Sequence, residues 1–266
     1  MTLEEPGKPI ERVYFLKSGV GSTVAFSNNG RRIETGLFGC EGMSGTAAVL
    51  QTGHASHETF MQVAGEGLAI ESGRLQDAME QSPPLQRHLL RYVQAMMTQT
   101  SQTALSNGQA KLEERLARWL LMCHDRISGN EMYLTHEFLS IMLGVRRAGV
   151  TVGTHLLEGK GLIRATRGRI VILDREGLEA EAQDSYGKPE AEYARLIGTR
   201  HNSEEARNRS SDMSPRFLFA SRGGRAPKPG PSAALQETLQ RLWNPAATPG
   251  VERPETPGRF RTSRNW

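Results

Sequence analysis

Two hydrophobic periods divide the chain. Over the first 70 residues, apolar positions alternate in short runs separated by glycine. VYFLKSG is rich in β-branched and aromatic residues and stops at Gly19, and STVAFS leads into Asn29-Gly30. That dipeptide is the strongest short hairpin signal, and RRIETGLFG follows it as the return strand. HETFMQVAGEGLAIE adds two short strand patterns around Gly65 and Gly67. Turn glycines at this spacing predict an antiparallel barrel or roll.

The period changes at Pro84, a residue suited to a first helical turn. Leu85, Leu89, Tyr92, Val93, Met96 and Thr100 then recur every three or four residues. The spacing predicts a helix over 84–106 that either spans domains or forms a dimer seam. A second helix, AKLEERLARWLLMCHDRI, places Leu112, Leu116, Trp119, Leu120 and Cys123 on a broad apolar face, with Lys111, Glu114, Arg115 and Arg118 largely outside it.

The stretch LTHEFLSIMLGVRRAGVT poses the sharpest question, because a helical pattern stops at Gly144 and restarts on two arginines. Thr135 is placed to cap a short helix whose inner side is Phe138, Leu139, Met142 and Leu143. Gly144 supplies the left-handed turn, and Val145 fills the angle. A helix from Arg147 to Glu158 follows, with Val150, Leu156 and Leu157 expected inward. Small Ser140, Gly144 four on and apolar Val150 six further match the spacing of a helix-turn-helix. GLIRATRGRIVILD then reads as a hairpin turning near Arg167-Gly168, the wing of a winged helix. Gly149 and Gly153 within the second helix cost about 1 kcal/mol each against alanine.

Charge sharpens this reading. Residues 134–175 hold seven Lys/Arg against three acidic residues, in a body that is otherwise negative. Double-stranded DNA is the partner such a module fits. Arg147 is expected to read a guanine edge and Arg146 to contact phosphate or base. His136 would meet backbone phosphate, Thr151 and His155 lie further along the exposed face, and Arg167 and Arg169 belong to the wing. Residues 199–266 are different. They carry twelve Lys/Arg against six acidic residues and eight of the 13 prolines, which predicts a disordered basic tail. Within it, SAALQETLQRLW has Leu235, Leu239 and Leu242 on one face.

Together these readings give an α+β chain with four parts. They are a partial antiparallel β-roll over 1–83, a long dimerisation helix over 84–107, a winged helix-turn-helix over 108–187 and a disordered tail over 199–266. The two cysteines, Cys40 and Cys123, are isolated and build neither a disulfide framework nor a metal cluster. His54 and His57 lack a third ligand, so no metal or cofactor is expected. GMSG at 42–45 is not a nucleophile elbow, and neither a phosphate loop nor a dinucleotide fingerprint occurs, which argues against an enzyme. No apolar run reaches the roughly 20 residues that span a bilayer, so no membrane partner and a cytoplasmic location are expected.

On the roll segment VYFLKSGVGSTVAFSNNGRRIETGLFGCEGMSG, the connecting helix and LTHEFLSIMLGVRRAGVTVGTHLLEGKGLI, the chain resembles the Crp/Fnr transcriptional regulators over residues 10–198. The resemblance implies a homodimer joined along the long helix, a sensor roll, a two-fold symmetric promoter site and contact with RNA polymerase. The roll enters several strands later than the family's does, so it reads as N-terminally truncated. No arginine lies between Arg32 and Arg74, which removes the guanidinium expected against a cyclic phosphodiester, and the effector stays open. Of the family's arginine, glutamate and arginine reading pattern only Arg147 is present, with Ala148 and Val152 at the other two positions. The rival readings are a winged helix that binds protein rather than DNA and a non-functional truncated regulator.

Overall fold

The computed structural model describes residues 1–198 together with Arg259 and Phe260. The expectation of a disordered tail, including the 232–243 helix, falls almost wholly outside these residues. The roll is built from β1 (Thr2–Glu4), β2 (Arg12–Leu16), β3 (Val20–Phe26), β4 (Arg32–Phe38), β5 (Glu58–Val63) and β6 (Gly65–Glu71). Four of these strands pair antiparallel in the order β1-β5-β3-β4. Strand β6 lies between β2 and the two-residue strand Arg259–Phe260. The β3–β4 hairpin turns where Asn29-Gly30 predicts. Gly30 sits at φ +80°, Ser27 N–H donates to Arg31 O at 2.9 Å, and Phe26 pairs with Arg32.

Three helices attach to the roll: α1 (Thr46–Val49), α2 (Ser72–Gln81) and the 27-residue α3 (Pro83–Gln109). The Ser82 hydroxyl caps α3 by accepting from Leu85 N–H at 3.4 Å, and Pro83 and Pro84 occupy its first turn. The stripe that the sequence offers as a spanning or dimer surface turns onto the roll. Leu85, Leu89, Tyr92 and Val93 are buried in one cluster with Val13, Val49, Leu75 and Met79. Met96 is half-buried and Thr100 is exposed. The opposite side of α3 shows Leu90, Met97 and Leu105 to solvent.

Polar side chains on α3 complete the attachment. Gln99 Oε1 accepts from Leu37 N–H at 2.7 Å, and Gln99 Nε2 donates to Leu37 O at 3.2 Å. The side-chain amide thus takes the place of a neighbouring strand at the β4 edge, whose backbone groups would otherwise be buried unpaired. Tyr92 Oη likewise bonds both backbone groups of Met43, at 3.0 Å each.

Beyond α3 come α4 (Leu112–His124), β7 (Glu131–Met132), α5 (His136–Leu143), α6 (Arg147–Gly159), β8 (Ile163–Thr166), β9 (Arg169–Ile172), α7 (Arg175–Ala182) and α8 (Lys188–Ile197). One hydrophobic cluster joins Val20, Val24, Leu37 and Phe60 of the roll to Leu116, Trp119, Leu120, Leu139 and Leu143 of the helical unit. Arg118 corrects the sequence reading. It is buried, and its guanidinium donates to Thr103 of α3 at 3.0 Å, because α4 is enclosed on nearly every side.

The roll and the helical unit also share a buried carboxylate. Glu34 of β4 accepts from Ser22 Oγ at 2.6 Å and from Trp119 Nε1 of α4 at 2.8 Å. Arg126, just past α4, pairs with Glu41 at 2.7 Å, both side chains being buried. Burial pushes the Glu34 carboxyl up to about 7, a rise limited by the Ser22 and Trp119 hydrogen bonds and by the charges of Arg118 and Arg126.

The unfolded chain therefore gives up this proton nearer the ordinary 4.5, while the folded chain keeps it until about 7. The stability that neutral Glu34 contributes is complete below 4.5 and is lost as pH rises to about 7. Glu34→Gln can keep both partners without the ionisation, its Oε1 accepting from Trp119 Nε1–H and its Nε2 donating to Ser22 Oγ. It should flatten stability between about pH 5 and pH 8 and raise it at the upper end by on the order of 1–3 kcal/mol. Urea unfolding across that range checks this. A variant that parallels the wild type at every pH would show that Glu34 does not change charge there.

Candidate nucleic-acid interface

The helical unit is assembled around a turn. Thr135 caps α5, its hydroxyl accepting from Phe138 N–H at 3.1 Å. Helix α5 ends on Gly144 at φ 61° and ψ 36°, the left-handed conformation that the sequence predicts. Val145 N–H donates to Ser140 O at 2.9 Å across the turn. A Cβ on Gly144 would come within 2.9 Å of Ile33 Cδ1, so the turn rests against β4 of the roll. Trp119 of α4 meets Phe138 of α5 edge to face, with ring centroids 6.2 Å apart.

Helix α6 buries Val150, Gly153, Thr154 and Leu157. The two glycines that cost helix propensity lie toward α4. A Cβ on Gly149 would sit 3.2 Å from Leu112 Cδ2, and one on Gly153 would sit 3.5 Å from both Leu112 and Leu116. Leu156, expected inward, is 45% exposed. The side chains missing at 149 and 153 let α6 lie close to α4, and the buried arc ends before Leu156.

The outer face of α6 then carries Arg147, Ala148, Val152, His155 and Leu156, with Arg146 immediately before it, all exposed. The guanidinium groups of Arg146 and Arg147 make no ion pair or hydrogen bond with any described residue. Thr151 and His136, expected as separate contacts, are joined, Thr151 Oγ1 lying 3.1 Å from His136 Nδ1. Thr151 also donates to Arg147 O at 3.3 Å.

The wing forms where GLIRATRGRIVILD places it. Strands β8 and β9 pair antiparallel, with Thr166 opposite Arg169 and a two-residue turn at Arg167 and Gly168, the glycine at φ +74°. Strand β7 pairs with the other edge of β9, so three strands form the sheet. Glu158 of α6 accepts from Ala165 N–H at 3.0 Å, which ties helix to wing. Arg167 is exposed at the turn, whereas Arg169 is engaged by Glu131 at 3.1 Å. Tyr133, 79% exposed between β7 and α5, stands beside this turn, since Leu134 N–H donates to Gly168 O. Sequence reasoning passes over Tyr133 because one aromatic residue in a connector carries no periodic signal.

Fold and site together define a winged helix-turn-helix protein with a β-roll ahead of its helical unit. Residues 114–181 match the family model described as a Crp-like helix-turn-helix domain. The global nitrogen regulator of Nostoc sp. is 25% identical over 182 residues, covering 64% of this chain and 81% of that protein. Among solved structures, FixK2 from Bradyrhizobium japonicum is 17% identical at a TM-score of 0.59, covering 69% of this chain and 93% of the other. A CRP-family transcriptional regulator from Thermus thermophilus is 20% identical at a TM-score of 0.56, covering 68% and 93%. The helix-turn-helix unit of residues 114–181 is Crp-like, and the fold of the described chain is that of the Crp/Fnr transcriptional regulators. Among the described residues, no helix is long and apolar enough to cross a membrane.

The space beside Gly153 admits one methyl group and little more. Gly153→Ala should stabilise the protein by about 0.5–1 kcal/mol through helix propensity alone. Gly153→Leu should destabilise it by roughly 1–3 kcal/mol through overpacking against Leu112 and Leu116. Thermal unfolding of both variants checks the close approach, and equal effects of alanine and leucine would contradict it.

Proposed function

We propose that this regulator binds a two-fold symmetric promoter site in double-stranded DNA as a homodimer, with α6 in the major groove. The observation that carries this reading is that Arg146 and Arg147, at the start of α6, are exposed and paired with no described residue. Structural arginines usually find a carboxylate, as Arg175 does with Asp125 and Glu179. Leaving two side by side at the leading end of a helix fits a polyanionic partner. Arg147 reads a guanine bidentately, and Arg146 takes phosphate or base. The wing's Arg167 and Arg169 lie on phosphate, and the latter exchanges Glu131 for it. His136 and Thr151 approach the backbone as one hydrogen-bonded unit, and His155 lies further along the groove.

The exposed side of α3, with Leu90, Met97 and Leu105, supports a second copy as its occupant. In the roll, Phe38 lies over Gly21, where a Cβ would meet the ring at 2.2 Å, so side chains fill this part of the interior. With no arginine between Arg32 and Arg74, cyclic AMP is not the effector we assign. RNA polymerase is the downstream partner.

Binding measured by fluorescence anisotropy across roughly 50–200 mM salt tests the reading, because phosphate contacts release counterions and must weaken steeply. Arg147→Ala should cost about 1–3 kcal/mol on the best site and relax preference there, whereas Arg167→Ala should weaken all sequences alike and reduce the salt slope by about one. Failure to bind any duplex at low salt would leave the winged helix as a protein-binding module.

A further inference from the structure

Helix α6 turns apolar side chains outward in the middle of a basic surface. Val152 is 58% exposed, Ala148 one turn earlier is exposed, and no described residue covers either. The inner side of the helix is already complete with Val150, Thr154 and Leu157, so the fold does not require an apolar residue at 152. Around these two positions stand Arg146, Arg147 and His155, and the wing adds Arg164 and Arg167, all exposed. Charge therefore selects the same occupant for the apolar pair as for the arginines.

We propose that Ala148 and Val152 read thymine, by packing against its 5-methyl group in the major groove. This rests on α6 entering that groove. The chemistry is selective for a simple reason. The major-groove edge of a guanine–cytosine pair offers only hydrogen-bonding groups, and thymine alone offers a methyl. Pressed against Val152, a cytosine amino group or guanine O6 loses its water and gains no partner, which is unfavourable. A thymine methyl buries apolar area on both sides. Residues four apart on a helix rise about 6 Å, so the pair reaches adjacent base steps rather than one. Arg147, at the leading end of the same face, reads guanine. Each half-site should then place guanine next to one or two thymines, with little guanine–cytosine content opposite Val152.

The test uses the full chain and a site selected from a random duplex pool. Each thymine is replaced in turn by uracil, which removes only the methyl. Wild-type protein should lose roughly three- to tenfold in affinity at one or two positions per half-site and almost nothing elsewhere. Val152→Ser, which puts a hydroxyl where the methyl groups stood, should bind with that uracil penalty abolished at one position, its fold confirmed by an unchanged Tm. Val152→Arg, which restores a guanidinium, should shift the selected base at that position toward guanine. Salt-dependent binding that ignores uracil everywhere would overturn the assignment and leave the proposed function standing. A uracil penalty unchanged at every position in Val152→Ser would also overturn it. Absence of any salt-dependent duplex binding would overturn both readings together.

Discussion

The left-handed turn at Gly144 is the constraint on which the rest of the arrangement depends. Any side chain there meets two obstacles at once, the backbone cost of φ +61° and the Ile33 side chain 2.9 Å from its Cβ. The turn fixes the angle at which α6 leaves α5. That angle brings Gly149 and Gly153 against Leu112 and Leu116, and it leaves Arg146 and Arg147 facing solvent. The same contact places α6 in register with the roll, because Ile33 and Glu34 are neighbours on β4.

Polar groups, more than the apolar cluster, make that register specific. Hydrophobic contact between roll and helical unit tolerates sliding, whereas Glu34 is satisfied only when Ser22 and Trp119 both reach it. Gln99 is equally demanding toward Leu37, and Gln102 Nε2 donates to Asp184 O at 2.9 Å beyond α7. Thr103 receives Arg118, and Asn107 receives Arg115 at 3.1 Å. Helix α3 thus holds β4 near its middle and the winged helical unit along its last turns. A change in the roll that moved β4 would break its polar contacts to α3, through Gln99, and to α4, through Glu34 and Trp119, at once. Such coupling needs an alternative roll conformation that an effector binds better.

Local period makes much of this legible. Glycine-punctuated alternation locates five strands of the roll, and the period of 3.6 locates α3, α4, α5 and α6. The Gly144 turn and the Arg167-Gly168 wing are readable because each requires a residue type with a stated backbone reason. What escapes depends on contacts remote in sequence. Glu34 sits in RRIETGLFG like any polar position of an alternating strand, and only Trp119, 85 residues on, makes it buried. Arg118 reads as solvent-facing because its partner lies on another helix. Leu156 reads as inward beside Leu157, but the two glycines shift the buried arc. Helix α8 carries its own signals, Gly187 before Lys-Pro-Glu with Glu190 accepting from Gly187 N–H at 2.9 Å, yet its apolar positions are too few to stand out as a period.

The outer face of α6 is sparing in hydrogen-bonding groups, and that economy bears on how such a protein achieves specificity. One guanidinium at a guanine edge is worth about 1–3 kcal/mol of discrimination, far below the roughly 4–10 kcal/mol that separates specific from non-specific binding. The thymine methyl contacts proposed above would add to each half-site without adding charge, raising selectivity while leaving the salt-dependent background unchanged. In the proposed two-fold assembly every such term is doubled. Under the proposed function, the exposed Leu90, Met97 and Leu105 on α3 and the apolar stripe on α6 form one economy: a reading head with few polar contacts would suffice only if a second copy read the other half of the site.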